Sequence, residues 1–210
     1  NPETNRKILG FAEKYEEVRA ALGLYPIDAL KMSDKEIKKE LDFIEENKDR
    51  IVAIGEVGMD FKESDDKEKQ KEIFSELIKL SMKLDKPMIV HSRKAEQECI
   101  EILQELEAKK VIMHCFSGKI SLVKRIIDNK WSLSIPASVK NSEHFQNVVK
   151  ITPIKQLLCE TDAPFLHPDK LRDNEPMFVI ESYRKIAEIK KIAVKDVEKE
   201  IENNYRKLFK

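Results

Sequence analysis

Four short apolar runs of the chain end in a side chain that can bind a metal ion. The runs read VAIGEVG, PMIVHSR, VIMHCFSG and LLCETDAPF, and their candidate ligands are Glu56, His91, His114 and Asp162. A buried strand has no routine use for a carboxylate or an imidazole at its end. The carboxyl ends of parallel strands share one edge of a sheet, where α/β barrels carry their active sites. The pattern therefore predicts one or two divalent metal ions held by these side chains.

Each candidate ligand also has an ordinary structural explanation. Glu56 stands between two glycines and can pair with a lysine, and a lone histidine at a strand end is commonly a hydrogen-bonded structural residue. Asp162 can cap the turn that follows it. Glu160 competes with Asp162, because residues two apart in a strand share a face, and the deeper Glu160 is expected to pair with a cation. Two of the four histidines fall at strand ends, which favours a metal site. The other two are expected to be outside it: His144 lies on a polar helical stretch and should be solvated, and His167 lies in a loop and should be at the surface.

Strand-like and helix-like segments alternate along the chain. Strands are predicted near residues 18–25, 51–58, 87–91, 111–116, 131–136 and 157–162. A helix is predicted to open the chain, and others near 33–47, 65–84, 94–107, 119–129, 141–151, 175–190 and 194–208. Continuous apolar strands separated by helices are typical of a parallel sheet with right-handed crossovers.

The predicted fold class is α/β, a TIM (β/α)8-type barrel formed as a single domain over residues 1–210. Six strands are visible in the chain, and the first two of the barrel are expected to be missing at the N-terminus. The first residue is Asn1 rather than Met, and helical sequence follows it at once. We therefore expect the working protein to carry an additional N-terminal segment of roughly 35–50 residues, enough for two strands and a helix.

The composition argues against a strong nonspecific nucleic-acid binder and against a membrane-spanning protein. The 39 basic residues balance the 39 acidic ones, so the chain lacks the electrostatic footprint of a strong nonspecific nucleic-acid binder. A local phosphate site built around metal is compatible with that balance. No apolar run approaches the roughly 20 residues that span a bilayer. The 3 cysteines are predicted to be reduced thiols, so we expect a cytoplasmic protein. We expect no membrane association, and no stable protein partner is inferred.

The motifs resemble those of the TatD family of metal-dependent deoxyribonucleases, which are amidohydrolase-like TIM barrels. The resemblance covers nearly the whole chain. It rests on ALGLYP at 21–26, AIGEVGMDF at 53–61, KPMIVHSRKA at 86–95, VIMHCFSG at 111–118, LLCETDAPFLHP at 157–168 and NEP at 174–176.

The resemblance implies a role for each matched ligand. Glu56 would be the carboxylate shared by two metals and a catalytic residue. His91 and His114 would bind one metal, and Asp162 would bind the other and help to activate water. The ions would be divalent, two in the intact protein, with Zn, Mg and Mn not distinguished.

Other matched residues are predicted to contact substrate. Ser92, Arg93 and Glu175 would lie near the substrate or behind the ligands, and backbone N–H groups at Ser117 could hold an anion. Tyr25 stands where the family commonly has histidine, and its hydroxyl can still donate a hydrogen bond. A second departure is that the His-x-His pair of the family's first strand has no counterpart here.

The predicted function is therefore a metal-dependent hydrolase, a deoxyribonuclease that cleaves DNA phosphodiester bonds through a metal-activated water. Its partner would be DNA or another small phosphodiester substrate. Two rivals stay open at this point. One is an amide or ester hydrolase of the same barrel superfamily, and the other is a non-catalytic scaffold that has kept the fold. Exonuclease and endonuclease action, and DNA and RNA as substrates, are likewise open.

Overall fold

The alternation of apolar runs and amphipathic segments becomes an alternation of strands and helices. The computed structural model describes residues 1–169 and 173–209. Its strands are β1 Ala20–Leu22, β2 Ile51–Gly58, β3 Met88–His91, β4 Val111–His114, β5 Ser132–Pro136 and β6 Leu157–Glu160. Its helices are α1 Pro2–Lys14, α2 Pro26–Ala29, α3 Asp34–Glu46, α4 Lys67–Leu84, α5 Glu96–Glu105, α6 Ile120–Asp128, α7 Glu143–Ile151, α8 Ile180–Lys190 and α9 Val194–Leu208.

Every strand lies within a segment predicted to be a strand, and each predicted helix is present. The capping signals have the predicted geometry: the Ser33 hydroxyl accepts from the Glu36 N–H, and the Glu36 carboxylate accepts from the Ser33 N–H. The short helix α2 was not predicted, because four residues carry no periodic pattern. No helix in the described ranges is long and apolar enough to cross a membrane.

The chain divides into two compact units, and Asn1–Ile112 with Phe209 make up the first. Strands β1, β2 and β3 are adjacent and parallel in that order, with Leu22 opposite Ile54 and Gly58 opposite His91. Helix α1 is attached to the end of β1 by Asn5, whose side chain donates to the Gly23 carbonyl at 2.9 Å and accepts from the Gly23 N–H at 3.2 Å. This attachment positions the segment that leads to Tyr25.

The second unit, Met113–Leu208, has its own parallel pair. Strand β5 runs beside β6 with Leu133 opposite Leu157 and Pro136 opposite Glu160. Helix α9 is held against this pair because the Asn204 amide donates to the Leu157 carbonyl at 2.8 Å. The Ser182 hydroxyl of α8 donates to the Ile135 carbonyl at 3.0 Å. The first contact fixes β6, which leads to the predicted ligand Asp162, and the second fixes the neighbouring strand β5.

The glycines around Glu56 allow β2 and β3 to approach closely. A Cβ added at Gly58 would lie 2.0 Å from the His91 carbonyl oxygen, and one added at Gly55 would lie 2.7 Å from the Ile89 Cβ. Gly58 also has φ +138°, a conformation that residues with a side chain rarely adopt. The strand end that carries His91 can therefore sit where it does only beside a glycine.

We expect Gly58→Ala to lower the free energy of unfolding by about 3 kcal/mol or more, because the added methyl would collide with backbone and force an unfavourable φ. The control is Gly10→Ala on the exposed face of α1, where an added Cβ meets nothing within 4 Å. That change should stabilise the protein by about 0.5–1 kcal/mol, since alanine is the better helix former. Urea unfolding measures both, and equal midpoints for the two variants would contradict the close approach.

Candidate metal centre

His91 lies between two carboxylates of the first unit. Its Nδ1 is 2.9 Å from Oε1 of Glu56, and its Nε2 is 3.0 Å from Oδ2 of Asp60. Glu56 belongs to β2, His91 ends β3, and Asp60 follows β2 by two residues. Glu56 therefore contacts the histidine of the neighbouring strand.

The hydrogen-bond ladder between the two strands continues past their ends and brings Asp60 to His91. The Met59 N–H donates to the His91 carbonyl at 3.1 Å, and the Phe61 N–H donates to the Arg93 carbonyl at 3.0 Å. The Asp60 side chain is fully buried. Its Oδ2 also accepts the Tyr25 hydroxyl at 2.9 Å. A buried carboxylate thereby holds one edge of the imidazole ring.

These contacts shift the pKa of His91, Asp60 and Tyr25. Burial alone would lower the pKa of His91, but hydrogen bonds and negative charge from Glu56 and Asp60 outweigh it and raise that pKa. Burial would raise the pKa of Asp60, yet the contacts from His91 and Tyr25 bring it below its usual value. Burial and the hydrogen bond to Asp60 raise the pKa of Tyr25. Asp60 is therefore ionised and Tyr25 is neutral at physiological pH.

The second unit repeats the arrangement around His114. Its Nδ1 is 2.6 Å from Oε2 of Glu160, and its Nε2 is 3.6 Å from Oδ1 of Asp162. Glu160 also accepts the Cys115 N–H at 3.0 Å and the hydroxyl proton of Ser134. The separation from Asp162 is too long for a hydrogen bond. Glu160 is thus the structural partner of the ring, and Asp162 stands near the ring's other nitrogen.

The two pairs have donor atoms and spacings that suit a divalent cation. Imidazole nitrogen and carboxylate oxygen bind such ions at about 2.0–2.2 Å, so two ligands of one ion lie about 3.0–3.4 Å apart. The Glu56–His91 separation of 2.9 Å and the His114–Asp162 separation of 3.6 Å are close to that range. Among residues 1–169 and 173–209, however, no group of three or more His, Cys, Asp or Glu is arranged to hold a metal. Each unit thus contributes a pair of candidate ligands.

The residues predicted to contact substrate are found in varied surroundings. Ser92 is buried, whereas Ser117 and Glu175 are exposed. Arg93 is half-exposed and pairs with Glu63 at 3.1 Å. The hydroxyl of Tyr25 donates a hydrogen bond as predicted, but the acceptor is Asp60 within the protein.

Two histidines differ from what the sequence indicated. His144, expected to be solvated, is partly buried, and its Nε2 lies 3.0 Å from the Phe116 carbonyl oxygen. His167, expected at the surface, is buried and lies edge-on to Phe178 with ring centroids 4.5 Å apart. Its Nδ1 accepts the Asp169 N–H at 3.0 Å. Loop sequence gives no periodicity from which such burial can be read.

Asp60 lies within the AIGEVGMDF motif, but no role is predicted for it from the sequence. The signal was present, because Asp60 follows Glu56 by four residues at the end of a strand, and residues an even number apart share a face. Glu160 was recognised as the deeper rival of Asp162. Its position beside His114 agrees with the expectation that it pairs with a positively charged group when the ring is protonated.

The sequence was compared with protein families, and the model for the family described as TatD related DNase matches residues 1–210. The chain belongs to the TatD family. Deoxyribonuclease TATDN3 of Homo sapiens is 36% identical over 215 residues, covering 97% of this chain and 78% of the relative. The uncharacterized metal-dependent hydrolase YabD of Bacillus subtilis is 34% identical over 216 residues, covering 99% of this chain and 83% of the relative.

Solved TatD structures agree with this membership. The crystal structure of YJJV, a TatD homologue from Escherichia coli, superposes with a TM-score of 0.91 at 26% identity, covering 99% of this chain and 82% of that one. A TatD family hydrolase from Entamoeba histolytica superposes with a TM-score of 0.83, covering 97% and 80%, and its 24% identity supports the fold alone. The predicted α/β fold of TIM-barrel type and the TatD resemblance are both confirmed.

The raised pKa of His91 predicts a pH-dependent stability in the absence of metal. A group whose pKa is higher in the folded state stabilises the fold fully below its unfolded pKa of about 6.5, and this contribution is lost as pH rises through the folded value. In a chelator, the difference in free energy of unfolding between the wild type and His91→Gln should therefore shrink between about pH 6 and pH 9. Urea unfolding across that range tests it, and a difference that grows with pH would contradict the two-carboxylate environment.

The buried contacts of Glu160 predict that Glu160→Gln lowers the free energy of unfolding by about 1–3 kcal/mol, because charge-assisted hydrogen bonds to His114 and Ser134 are lost. The matched control is Glu198→Gln on the exposed part of α9, expected to stay within about 0.5 kcal/mol. Denaturant unfolding at neutral pH compares them, and equal values would show that Glu160 does not hold the ring.

Proposed function

We propose that the protein is a metal-dependent deoxyribonuclease that hydrolyses DNA phosphodiester bonds. The observation that carries the proposal is the imidazole–carboxylate pair at the strand ends of each unit, Glu56 with His91 and His114 with Asp162. The TatD membership supports the hydrolase chemistry. The TATDN3 relative is named a deoxyribonuclease and YabD a metal-dependent hydrolase, which supports DNA as substrate and metal as cofactor.

We assign the two pairs as ligands of divalent cations, two in the intact protein as the resemblance implies. The donor set of nitrogen and carboxylate oxygen suits Zn, Mn or Mg and does not distinguish them. When bound, such cations offset the negative charge of a phosphodiester and lower the pKa of a water molecule.

The residues of the chain itself would bind and orient the substrate. Glu56 and Asp162 are about one-third exposed, at 35% and 36% of the side chain, so each can accept a proton from water. Arg93 is the cation nearest to His91 in sequence, and exchanging Glu63 for a phosphate would keep its charge paired. Backbone N–H groups near Ser117, just before α6, can donate hydrogen bonds to an anion. Ser92, Glu175 and Tyr25 complete the proposed substrate set.

A cytoplasmic location belongs to the same proposal. Cys99, Cys115 and Cys159 are not joined by disulfides, which suits a reducing compartment. DNA is the only partner proposed.

The test of this function is cleavage of end-labelled single-stranded DNA with Mg²⁺, Mn²⁺ or Zn²⁺. We expect Glu56→Gln to reduce cleavage about 100-fold or more, because the neutral amide is a poor ligand for a cation that stabilises charge in the transition state. Chelation should abolish cleavage by the wild type, and added metal should restore it.

The matched control is Glu76→Gln, which removes the same charge from an exposed position on α4 that pairs with Lys79. Its cleavage should equal that of the wild type. Parallel assays on cyclic amides and esters test the rival function of an amide or ester hydrolase. Activity on those substrates without cleavage of DNA would support that rival and contradict the deoxyribonuclease. A wild type that binds no metal by elemental analysis and cleaves nothing would support the scaffold.

A further inference from the structure

The Asp60 carboxylate accepts an unusually full set of hydrogen bonds. It accepts four donors: the Lys62 N–H at 2.9 Å and the Glu63 N–H at 3.1 Å on Oδ1, and Tyr25 and His91 on Oδ2. A carboxylate has about four acceptor positions, so both oxygens are filled. The side chain is also fully buried. Asp60 is therefore neither a free base nor an open ligand.

The backbone of Asp60 is held as firmly as its side chain. The buried Gln70 accepts the Asp60 N–H at 2.7 Å and donates to the Asp60 carbonyl at 3.2 Å. Gln70 belongs to α4, which packs on β2. These backbone hydrogen bonds fix the position from which the Asp60 carboxylate contacts His91.

We propose that Asp60 is a positioning residue that places the proton of neutral His91 on Nε2, with Tyr25 as the donor that steadies the carboxylate. An ionised carboxylate only accepts hydrogen bonds, so the ring nitrogen facing it must carry hydrogen. Nδ1, which faces Glu56, then keeps its lone pair. As metal ligand, a role that rests on the proposed function, His91 would bind through Nδ1.

Glu56 competes for the same proton from the other side of the ring. The two carboxylates differ in burial: Glu56 is 35% exposed, whereas Asp60 is 0% exposed and accepts four hydrogen bonds. Removing the imidazole N–H from Asp60 would leave a buried charge less satisfied, whereas water can reach the partly exposed carboxylate of Glu56. The buried acceptor therefore retains the proton.

Asp60→Asn should reverse the tautomer. The loop N–H groups of Lys62 and Glu63 require an acceptor, so the amide oxygen takes the place of Oδ1 and the amide NH₂ takes that of Oδ2. The NH₂ then donates to Nε2 of His91, which moves the ring proton to Nδ1. The same logic applies to serine-protease triads, where an aspartate-to-asparagine change leaves the geometry intact and gives the wrong tautomer.

The experiment reads the tautomer and the metal separately, on the full chain. Long-range ¹H–¹⁵N spectra of histidine-labelled protein in chelator at about pH 9 report which nitrogen of neutral His91 is protonated, and His91→Gln assigns the signal. Competition with a chromogenic chelator measures Zn²⁺ and Mn²⁺ affinity. We expect Nε2–H in the wild type, Nδ1–H in Asp60→Asn, and about 10–100-fold weaker metal binding in that variant.

Two further variants separate positioning from a general structural effect. Tyr25→Phe should keep the Nε2–H tautomer and weaken metal binding less than Asp60→Asn does. Asp42→Asn, which removes an equal charge from an exposed pair with Lys38, should change neither readout.

The outcomes distinguish this inference from the proposed function. Nδ1–H in the wild type, or an unchanged tautomer in folded Asp60→Asn, would overturn the positioning role. Should Asp60→Asn fail to fold by circular dichroism, the wild-type and Tyr25→Phe spectra still decide. A wild type with Nε2–H that binds no metal would sustain the positioning role and overturn the metal-dependent function.

Discussion

The close approach of β2 and β3 at Gly58 is the constraint on which the first half of the site depends. Gly58 lies opposite His91, and its missing side chain lets the two backbones meet. The ladder then continues past both strand ends, so that the residues after Gly58 run beside those after His91. Glu56 comes before the contact and Asp60 after it, which puts a carboxylate on each nitrogen of the ring. A bulkier residue at this single position would alter all three placements.

Burial divides the carboxylates into two kinds with different chemistry. Asp60 and Glu160 are 0% and 14% exposed, and each holds one nitrogen of a histidine by a hydrogen bond. Glu56 and Asp162, near the other nitrogens, are about one-third exposed. A buried charge must be satisfied by fixed partners, while a partly solvated one can exchange water for a ligand. Each strand-end histidine therefore has one nitrogen bonded to a buried carboxylate and one beside a carboxylate that solvent can reach.

The sequence predicted the elements well because their signals are local. Continuous apolar runs and 3.6-residue periodicity identified the strands and the longer helices, and capping residues placed several helix starts. The candidate ligands were found because a charged side chain at the end of an apolar run is a local anomaly. His144 and His167 were misplaced because the burial of a loop or helix-edge histidine depends on what packs over it. The four-residue helix α2 was not predicted because it is too short to show a 3.6-residue periodicity.

By itself, then, the sequence determined the strand–helix alternation, the TatD membership and the residue types available at the strand ends, since all of these are properties of neighbouring residues. Only the tertiary structure decided which carboxylate each imidazole nitrogen meets. Asp60 and Glu56 are both acidic and both close to the end of β2, and nothing in their types tells them apart. Strand register and burial distinguish them. Pairing with the neighbouring strand sets the distance of each carboxylate from the imidazole, and the exclusion of water decides which carboxylate must keep its hydrogen-bond partner.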